Sequence, residues 1–399
     1  MTDFTTARPE KTDLFRTLCW AVYLGCSWTW CIGMFLPVIL VSEFGLLAWF
    51  VFTIPNVIGA AAMGWTLARP GTSERIVREH HTACVAFSAI TLAFHLFFLY
   101  WLWSIRIMPT AFAIGAVTLG FTFGWIGRRR IGLDFFLAFL VLCISLAVFT
   151  RGMTHPVFGV QSPVEIDRTN ISMLGLAPVC VFGFFLCPYL DLTFHRARQQ
   201  TATTAGKAAF GIGFGIVFLL MLVLTLMYTG DFALDRPGYR FGSFGYPLLI
   251  SWVALHIAAQ AGFTFAAHLR ALPKPRATDP ALWAAAAILL ALSVFFLRQQ
   301  LWFDHPGLHI QMLTGNLIYR LFMSFYGLLF PAYVWICIVP LRAAPPGATP
   351  RSLTVTAIAV LLATPMFWLG FINEQMLWLL PAAATLLLAR TFANTQNPN

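Results

Sequence analysis

Apolar runs of helix-crossing length repeat along the whole chain, separated by short polar stretches. About twelve can be counted, near residues 18–41, 46–68, 82–104, 110–127, 132–150, 172–194, 208–229, 245–269, 281–298, 313–340, 353–372 and 375–392. Crossing a bilayer core of about 30 Å takes about 20 predominantly apolar residues in helix. Only the fourth and fifth runs approach the lower limit of that length. The strict two-residue alternation of a barrel strand is absent, and a lipid-facing backbone must satisfy its own N–H and C=O groups, so the runs are predicted as helices.

The polar stretches carry charge on every second turn. Arg8, Lys11 and Arg16 precede the first run, and Arg69, Arg75 and Arg78 follow the second. Arg128, Arg129 and Arg130 follow the fourth, Arg196, Arg198 and Lys207 the sixth, and Arg270, Lys274 and Arg276 the eighth. Arg342 and Arg351 follow the tenth, and Arg390 closes the twelfth. About 18 of the 25 Lys and Arg residues therefore fall on one side. Lys and Arg accumulate in cytoplasmic loops, which predicts a multi-pass protein of a prokaryotic inner membrane with both termini in the cytoplasm.

Composition adds to this picture. Hydrophobic residues make up 59% of the 399 residues and charged ones 10%, against about 25% charged in a soluble domain. The net charge of +10 reads as loop charge facing anionic lipid. No nucleic-acid partner is expected, because no basic stretch carries the aromatic interleaving of such a binder. All eight cysteines lie inside apolar runs, so neither a disulfide framework nor a metal-binding cysteine pattern is expected. The start of the chain mixes Asp3, Glu10 and Asp13 with basic residues, unlike a cleavable signal, and the first helix is expected to be retained.

Two runs are poor continuous helices. The first contains Gly25, Cys26, Ser27, Trp28, Thr29, Trp30, Gly33 and Pro37 in close succession. The sixth contains Gly183, Cys187, Pro188, Tyr189 and Asp191. Proline removes a helix donor and glycine lowers the cost of leaving helical geometry. Gly33 with Pro37 and Gly183 with Pro188 are rough counterparts about 150 residues apart. Interrupted helices at matching places in two halves, separated by an odd number of spans, point to an inverted-repeat transporter. Simple kinks are the competing reading, since Gly and Pro are common in membrane helices.

The stretches GCSWTWCIGMFLPVILVSEFGLLAWFVFTIPNVIGAAAMGW (Gly25 to Trp65) and GFFLCPYLDLTFHRARQ (Gly183 to Gln199) resemble the sodium:solute symporter family, within the APC group that shares the leucine-transporter-type fold. Gly45, Trp49, Gly59 and Gly64 match that family's Gly-aromatic turn and glycine-rich second helix. The resemblance implies an all-α integral membrane protein with a 5+5 inverted repeat, broken first and sixth helices, and two extra C-terminal helices. The implied organisation is a cytoplasmic N-terminus over 1–17, a first repeat over 18–150, an external loop over 151–171, a second repeat over 172–340, two extra helices over 341–392 and a tail over 393–399. One departure stands out. The eighth run has no Ser/Thr pair of the kind that holds sodium in the family, only Thr264 and the outlying Ser251. That leaves protons beside Na⁺ as coupling ion; no other cofactor is expected.

Polar residues inside the runs complete the reading. His256, Gln260, Thr264 and His268 recur every four residues and share one helix face. Such a stripe faces a cavity or the bundle interior. His256 is a candidate proton acceptor, His268 is expected to reach the cytoplasmic interface, and interhelical packing is the alternative for both. His95 stands alone and reads first as a packing histidine, then as a proton relay. A haem held by two such histidines has no attachment motif to support it. Asn316, Tyr319, Arg320 and Ser324 share the outer end of the tenth run and are candidate gate residues. Asn56, after Pro55, is expected to cap carbonyls that the proline frees. Asp134, Asp191, Glu43 and Glu374 fall near run ends, so no carboxylate is expected at mid-depth, and a carried solute would be neutral or zwitterionic.

The expected function is therefore secondary transport of a small solute by alternating access, with no metal site. Ser27, Trp28, Thr29, Trp30, Gly183, Cys187, Tyr189, His256 and Gln260 would line the substrate site. Gly25, Cys26, His256 and Thr264 would couple the ion or proton. Two other classes remain open. One is a transporter-fold sensor or accessory protein without flux. The other is an intramembrane transferase, for which Asp304, His305 and His309 are the only outer acid–base candidates.

Overall fold

With apolar side chains on all faces, the backbone of each run has no partner except itself, and the described runs are all helical. The computed structural model describes residues 13–126, 130–153, 169–228, 247–299, 310–339 and 347–393. The first runs give α1 (Leu14–Ser27), α2 (Cys31–Phe44), α3 (Leu46–Thr66), α4 (Thr72–Glu79), α5 (His81–Ser104), α6 (Thr110–Trp125) and α7 (Ile131–Met153). The middle of the chain forms α8 (Thr169–Leu186), α9 (Leu192–Gln199), α10 (Thr203–Ile212), α11 (Leu219–Met227) and α12 (Pro247–Ala271). The last part forms α13 (Asp279–Gln299), α14 (Ile310–Ser324), α15 (Phe330–Tyr333), α16 (Pro350–Phe367) and α17 (Leu379–Ala393). A π-helical turn over Gly213–Phe218 joins α10 to α11, and similar turns flank α15, so each of these spans is one rod with local widening.

Among the described residues, 8 helical runs are long and apolar enough to cross a membrane, and two bent pairs bring the number to 10. The 16-residue α6 and the 25-residue α12, whose polar face lowers its hydropathy, account for the remaining expected runs. The chain is thus an all-α, multi-pass membrane protein. Its outer surface fits lipid: Phe136, Phe139, Leu361 and Leu388 are each more than 60% exposed, an arrangement that bulk water would penalise.

Close helix approach is set by missing side chains. A Cβ on Gly59 of α3 would lie 2.4 Å from the Phe184 carbonyl oxygen of α8, and one on Gly120 of α6 would lie 2.6 Å from the Gly262 oxygen of α12. Gly213 is pressed against the Ala21 oxygen of α1 at 2.7 Å in the same sense. Small residues let membrane helices touch backbone to backbone, where dispersion replaces the hydrophobic drive that lipid removes.

One feature differs from expectation. The Arg-rich stretch after the second run folds into α4, a short amphipathic helix packed on α9. The expected external loop over 151–171 and the stretches around Asp304, His305 and His309 lie largely outside the described residues.

Replacing Gly59 by Ala is expected to cost about 1–3 kcal/mol, because the added methyl meets backbone that cannot rotate away. Gly115→Ala, whose Cβ meets nothing within 4 Å, is expected to be near neutral. Thermal unfolding of both variants in detergent checks the contrast.

Candidate functional site between two interrupted spans

The first interruption falls at Trp28–Trp30, where α1 and α2 bend by 54°. Its position follows from side chains able to replace lost backbone bonds. The Thr29 hydroxyl donates to Gly25 O at 2.8 Å, and the Thr29 amide donates to Cys26 O at 3.1 Å. The Trp30 indole N–H donates to Ser27 O at 2.6 Å, and the Ser27 hydroxyl donates to Leu24 O at 3.1 Å. Gly33 and Pro37, expected at the break, instead sit inside an unbroken α2. Proline forfeits one bond there, and the Tyr228 hydroxyl donates to Met34 O in the turn before it at 2.7 Å. The peptide groups freed at the break are capped by the chain's own side chains.

The start of α2 is capped from α5. The Cys31 amide donates to His95 Nε2 at 3.1 Å, and His95 Nδ1 lies 2.7 Å from Thr91 O. An amide only donates and a carbonyl only accepts, so Nε2 is bare and Nδ1 carries the hydrogen. His95 is therefore a neutral cap for the broken span. Tyr319 of α14 donates its hydroxyl to Cys31 O at 2.9 Å.

The second interruption is one 3-10 turn, Cys187–Leu190, followed by extended Asp191, with a bend of 57° into α9. Asp191 Oδ1 accepts from the Thr193 amide and from the Thr193 hydroxyl, both at 2.7 Å. Asp191 is fully buried, and its Oδ2 has no partner. Expected near the end of the sixth run, the residue lies at the break itself, with the polar α9 continuing beyond it.

The two interruptions touch. Thr193 Oγ1 and Ser27 Oγ are 3.2 Å apart, and the rings of Trp28 and Phe194 are centred 4.9 Å apart. Trp28, Trp30, Gly183 and Cys187 enclose a cavity of about 20 Å³ together with Asn56 and Tyr326, room for roughly one water. Asn56 accepts from the Trp28 indole at 2.7 Å instead of capping carbonyls near Pro55. Tyr326 is 2.9 Å from Thr91 Oγ1; because Thr91 gives its hydrogen to Phe87 O at 2.8 Å, the tyrosine is the donor. Nothing in the sequence singled out Tyr326, since one tyrosine on a long apolar run carries no signal.

Other expected site residues lie elsewhere. Tyr189 is half-buried at the edge of the second break, and its carbonyl accepts from His195 Nε2 at 2.9 Å. Gly25 is a packing contact, its Cβ position 2.6 Å from Val217, and the Cys26 thiol points to Ala138 O at 3.6 Å. His256 Nδ1 and Gln260 Nε2 converge on Ser145 Oγ of α7, at 2.9 and 3.1 Å, and Thr264 bonds back to Gln260 O at 2.9 Å. This face is wholly buried but does not line the cavity. His268 does not reach the interface; it is buried, 3.1 Å from Ser88 Oγ, with its ring 5.5 Å from that of Trp30.

Buried ion clusters close both ends. Arg320 of α14 pairs with Glu43 at the end of α2, reaches Glu374 at 3.5 Å and donates to Phe371 O at 2.8 Å. Asn316 accepts from Arg320 Nε at 3.3 Å, while Tyr319 turns inward. At the Arg-rich end, Asp134 holds Arg196 at 2.6 Å and Arg270 at 2.5 Å. Arg270 also donates to Ile126 O at 2.7 Å, and Arg196 donates to Arg270 O at 2.7 Å, which ties α9 to α6, α7 and α12. Among the described residues, no three His, Cys, Asp or Glu side chains converge as a metal site.

No family model and no curated protein matches the chain. Among solved structures it is similar to the crystal structure of a manganese transporter mutant from Eremococcus coleocola, at 13% identity and a TM-score of 0.45, over 98% of this chain and 96% of that one. A second mutant and a complex with an aromatic bis-isothiourea substituted compound give TM-scores of 0.43 and 0.41 at the same identity and coverage. None of the three is described as a sodium:solute symporter.

The Trp28–Asn56 bond is the contact joining the first break to α3, and its loss is measurable. Asn56→Ala leaves a buried indole donor unmatched and is expected to cost about 1–3 kcal/mol, whereas Trp28→Phe made in that background costs far less than it does alone. A double-mutant cycle from unfolding in detergent reads the coupling.

Proposed function

We propose that this chain is a secondary transporter that carries a small solute through the gap between its two interrupted spans by alternating access. The carrying observation is the direct meeting of the two breaks at Ser27 and Thr193, 3.2 Å apart, beside an enclosed cavity. A structural kink has no reason to meet a second kink, whereas a carrier needs the two mobile half-helices to share one site. The repeats proposed over 18–150 and 172–340 each begin with one of these spans, and the Arg-rich end is assigned to the cytoplasm.

With latches made at both ends, this conformation is occluded. Trp28 and Trp30 fill the space that a solute would take, so their rings must swing aside for binding. The Asp134–Arg196–Arg270 cluster holds α9 shut at the cytoplasmic end, and Arg320 with Glu43 holds α2 shut at the outer end. Each latch joins a broken half-helix to the surrounding scaffold, so opening one leaves the other in place. The proposed solute is neutral or zwitterionic, held by the indoles, Asn56 and Tyr326. Ser27, Thr29, Cys26 and Gly25 shape the first break, and His256, Gln260 and Thr264 form a polar support behind it. A sensor that keeps the fold without flux would have no use for two independent latches.

Accessibility of Cys187, which is buried in this state, tests the reading in a chain whose other cysteines are replaced. Glu43→Gln is expected to raise labelling by an impermeant thiol reagent from the outer side, and Asp134→Asn from the opposite side. Each 1.4 kcal/mol of latch energy lost is worth about tenfold in the open population. Labelling from the same side in both variants, or unchanged labelling in both, overturns alternating access.

A further inference from the structure

Resting on that reading, the break in the second span also points to what drives the cycle. Asp191 carries a buried oxygen that no hydrogen-bond donor among the described residues reaches. Oδ1 is saturated by two donors from Thr193 at 2.7 Å, and Oδ2 is buried with no partner. An ionised carboxylate left half-solvated by protein and wholly shielded from water is costly; buried charges are paired, or they neutralise. Among the described residues no cation pairs with it. The titratable groups in electrostatic reach are Tyr23 on α1, Cys84 on α5, Cys187 on the turn and Tyr326 across the cavity, all neutral near pH 7. On α9 itself His195 is bonded to Ser73 and Tyr189, Arg196 is taken by Asp134 and Arg198 by the Leu67 and Ala68 carbonyls; on the helices packed against it Glu74 of α4 is acidic, His95 of α5 caps Cys31, His268 of α12 is bonded to Ser88 and Arg270 is taken by Asp134.

We infer that Asp191 carries the coupling proton, held on Oδ2 in this occluded state. A metal cation needs several oxygen ligands converging on it, whereas a proton needs a single lone pair, which is what Oδ2 offers. The proton comes from water on one side while that side is open, and it leaves to water on the other side once α9 swings away and Oδ2 is rehydrated. Holding it removes the charge that would otherwise oppose closure, so only the protonated carrier occludes readily. Thr193 transmits this state to the other span, because its hydroxyl donates to Asp191 Oδ1 at 2.7 Å while its oxygen packs 3.2 Å from Ser27 Oγ. With the carboxylate neutral, the site offers no counter-charge to a cation, in keeping with a neutral or zwitterionic solute.

Infrared difference spectroscopy of the full chain in vesicles, titrated with acid, tests the assignment without knowledge of the solute. The expected result is a protonated-carboxyl carbonyl band, one group per chain, that disappears in Asp191→Asn. Asparagine keeps a good helix cap, so this variant is expected to remain folded; should it not fold, Asp191→Glu is expected to shift the band instead of abolishing it. The band should be unaffected by adding NaCl, KCl or MnCl2 at fixed pH. Two results overturn the inference: a wild-type spectrum with no band sensitive to substitution at Asp191, or a band abolished by one of those salts, which would make the site a cation site. The side-switching of Cys187 labelling is read separately, so failure of the proton assignment is distinguishable from failure of the transporter reading.

Discussion

An opened helix in lipid must find partners for the peptide groups it exposes, and the rest of this structure depends on how the chain does so. At the first break the partners come from the same few residues: Thr29, Ser27 and Trp30 cap the end of α1, and His95 caps the start of α2. Each unmet group would cost several kcal/mol in the bilayer core, so the break sits where those side chains are. This explains why Pro37 is tolerated inside α2 while the chain unwinds nine residues earlier. The result is an interruption that is complete in itself and holds its shape without a ligand.

The second break is satisfied less fully. Asp191 caps α9 with one oxygen and leaves the other bare. A self-sufficient break facing an unsatisfied one is a sensible division of labour for a carrier. In the proposed carrier the first would supply a rigid wall and the second the group whose protonation decides whether the pair closes. Thr193, bonded to Asp191 and packed 3.2 Å from Ser27 Oγ, is the place where the two breaks meet.

The ion clusters at the two ends obey related energetics. Taking Arg270 and Asp134 out of water costs several kcal/mol per ion, recovered only when the remaining donors are also satisfied. Arg270 meets that requirement with the carbonyls of Phe123 and Ile126 at the end of α6 and of Arg130 just before α7. Such clusters are stable only as whole assemblies, so they open in one step, a property suited to a latch.

The sequence by itself determined the helical state of the apolar runs and which two would be interrupted, because hydropathy and the Gly-Pro pattern act locally. It also brought Trp28, Trp30, Gly183 and Cys187 to attention, through their place in the interrupted runs. Contacts between distant residues were beyond it. That Asn56 holds Trp28, that His95 caps Cys31 and that Tyr326 closes the cavity are matters of which helix faces which, and no spacing along one run encodes a neighbour on another. Asp191 shows the difference most plainly. Read along the chain it sits close to basic residues, as an interfacial acid would; folded, the eight residues of α9 continue past it, and the same carboxyl is sealed at the joint between two spans. The position of a charge relative to lipid is decided by where the helix bends, and only the tertiary structure sets that.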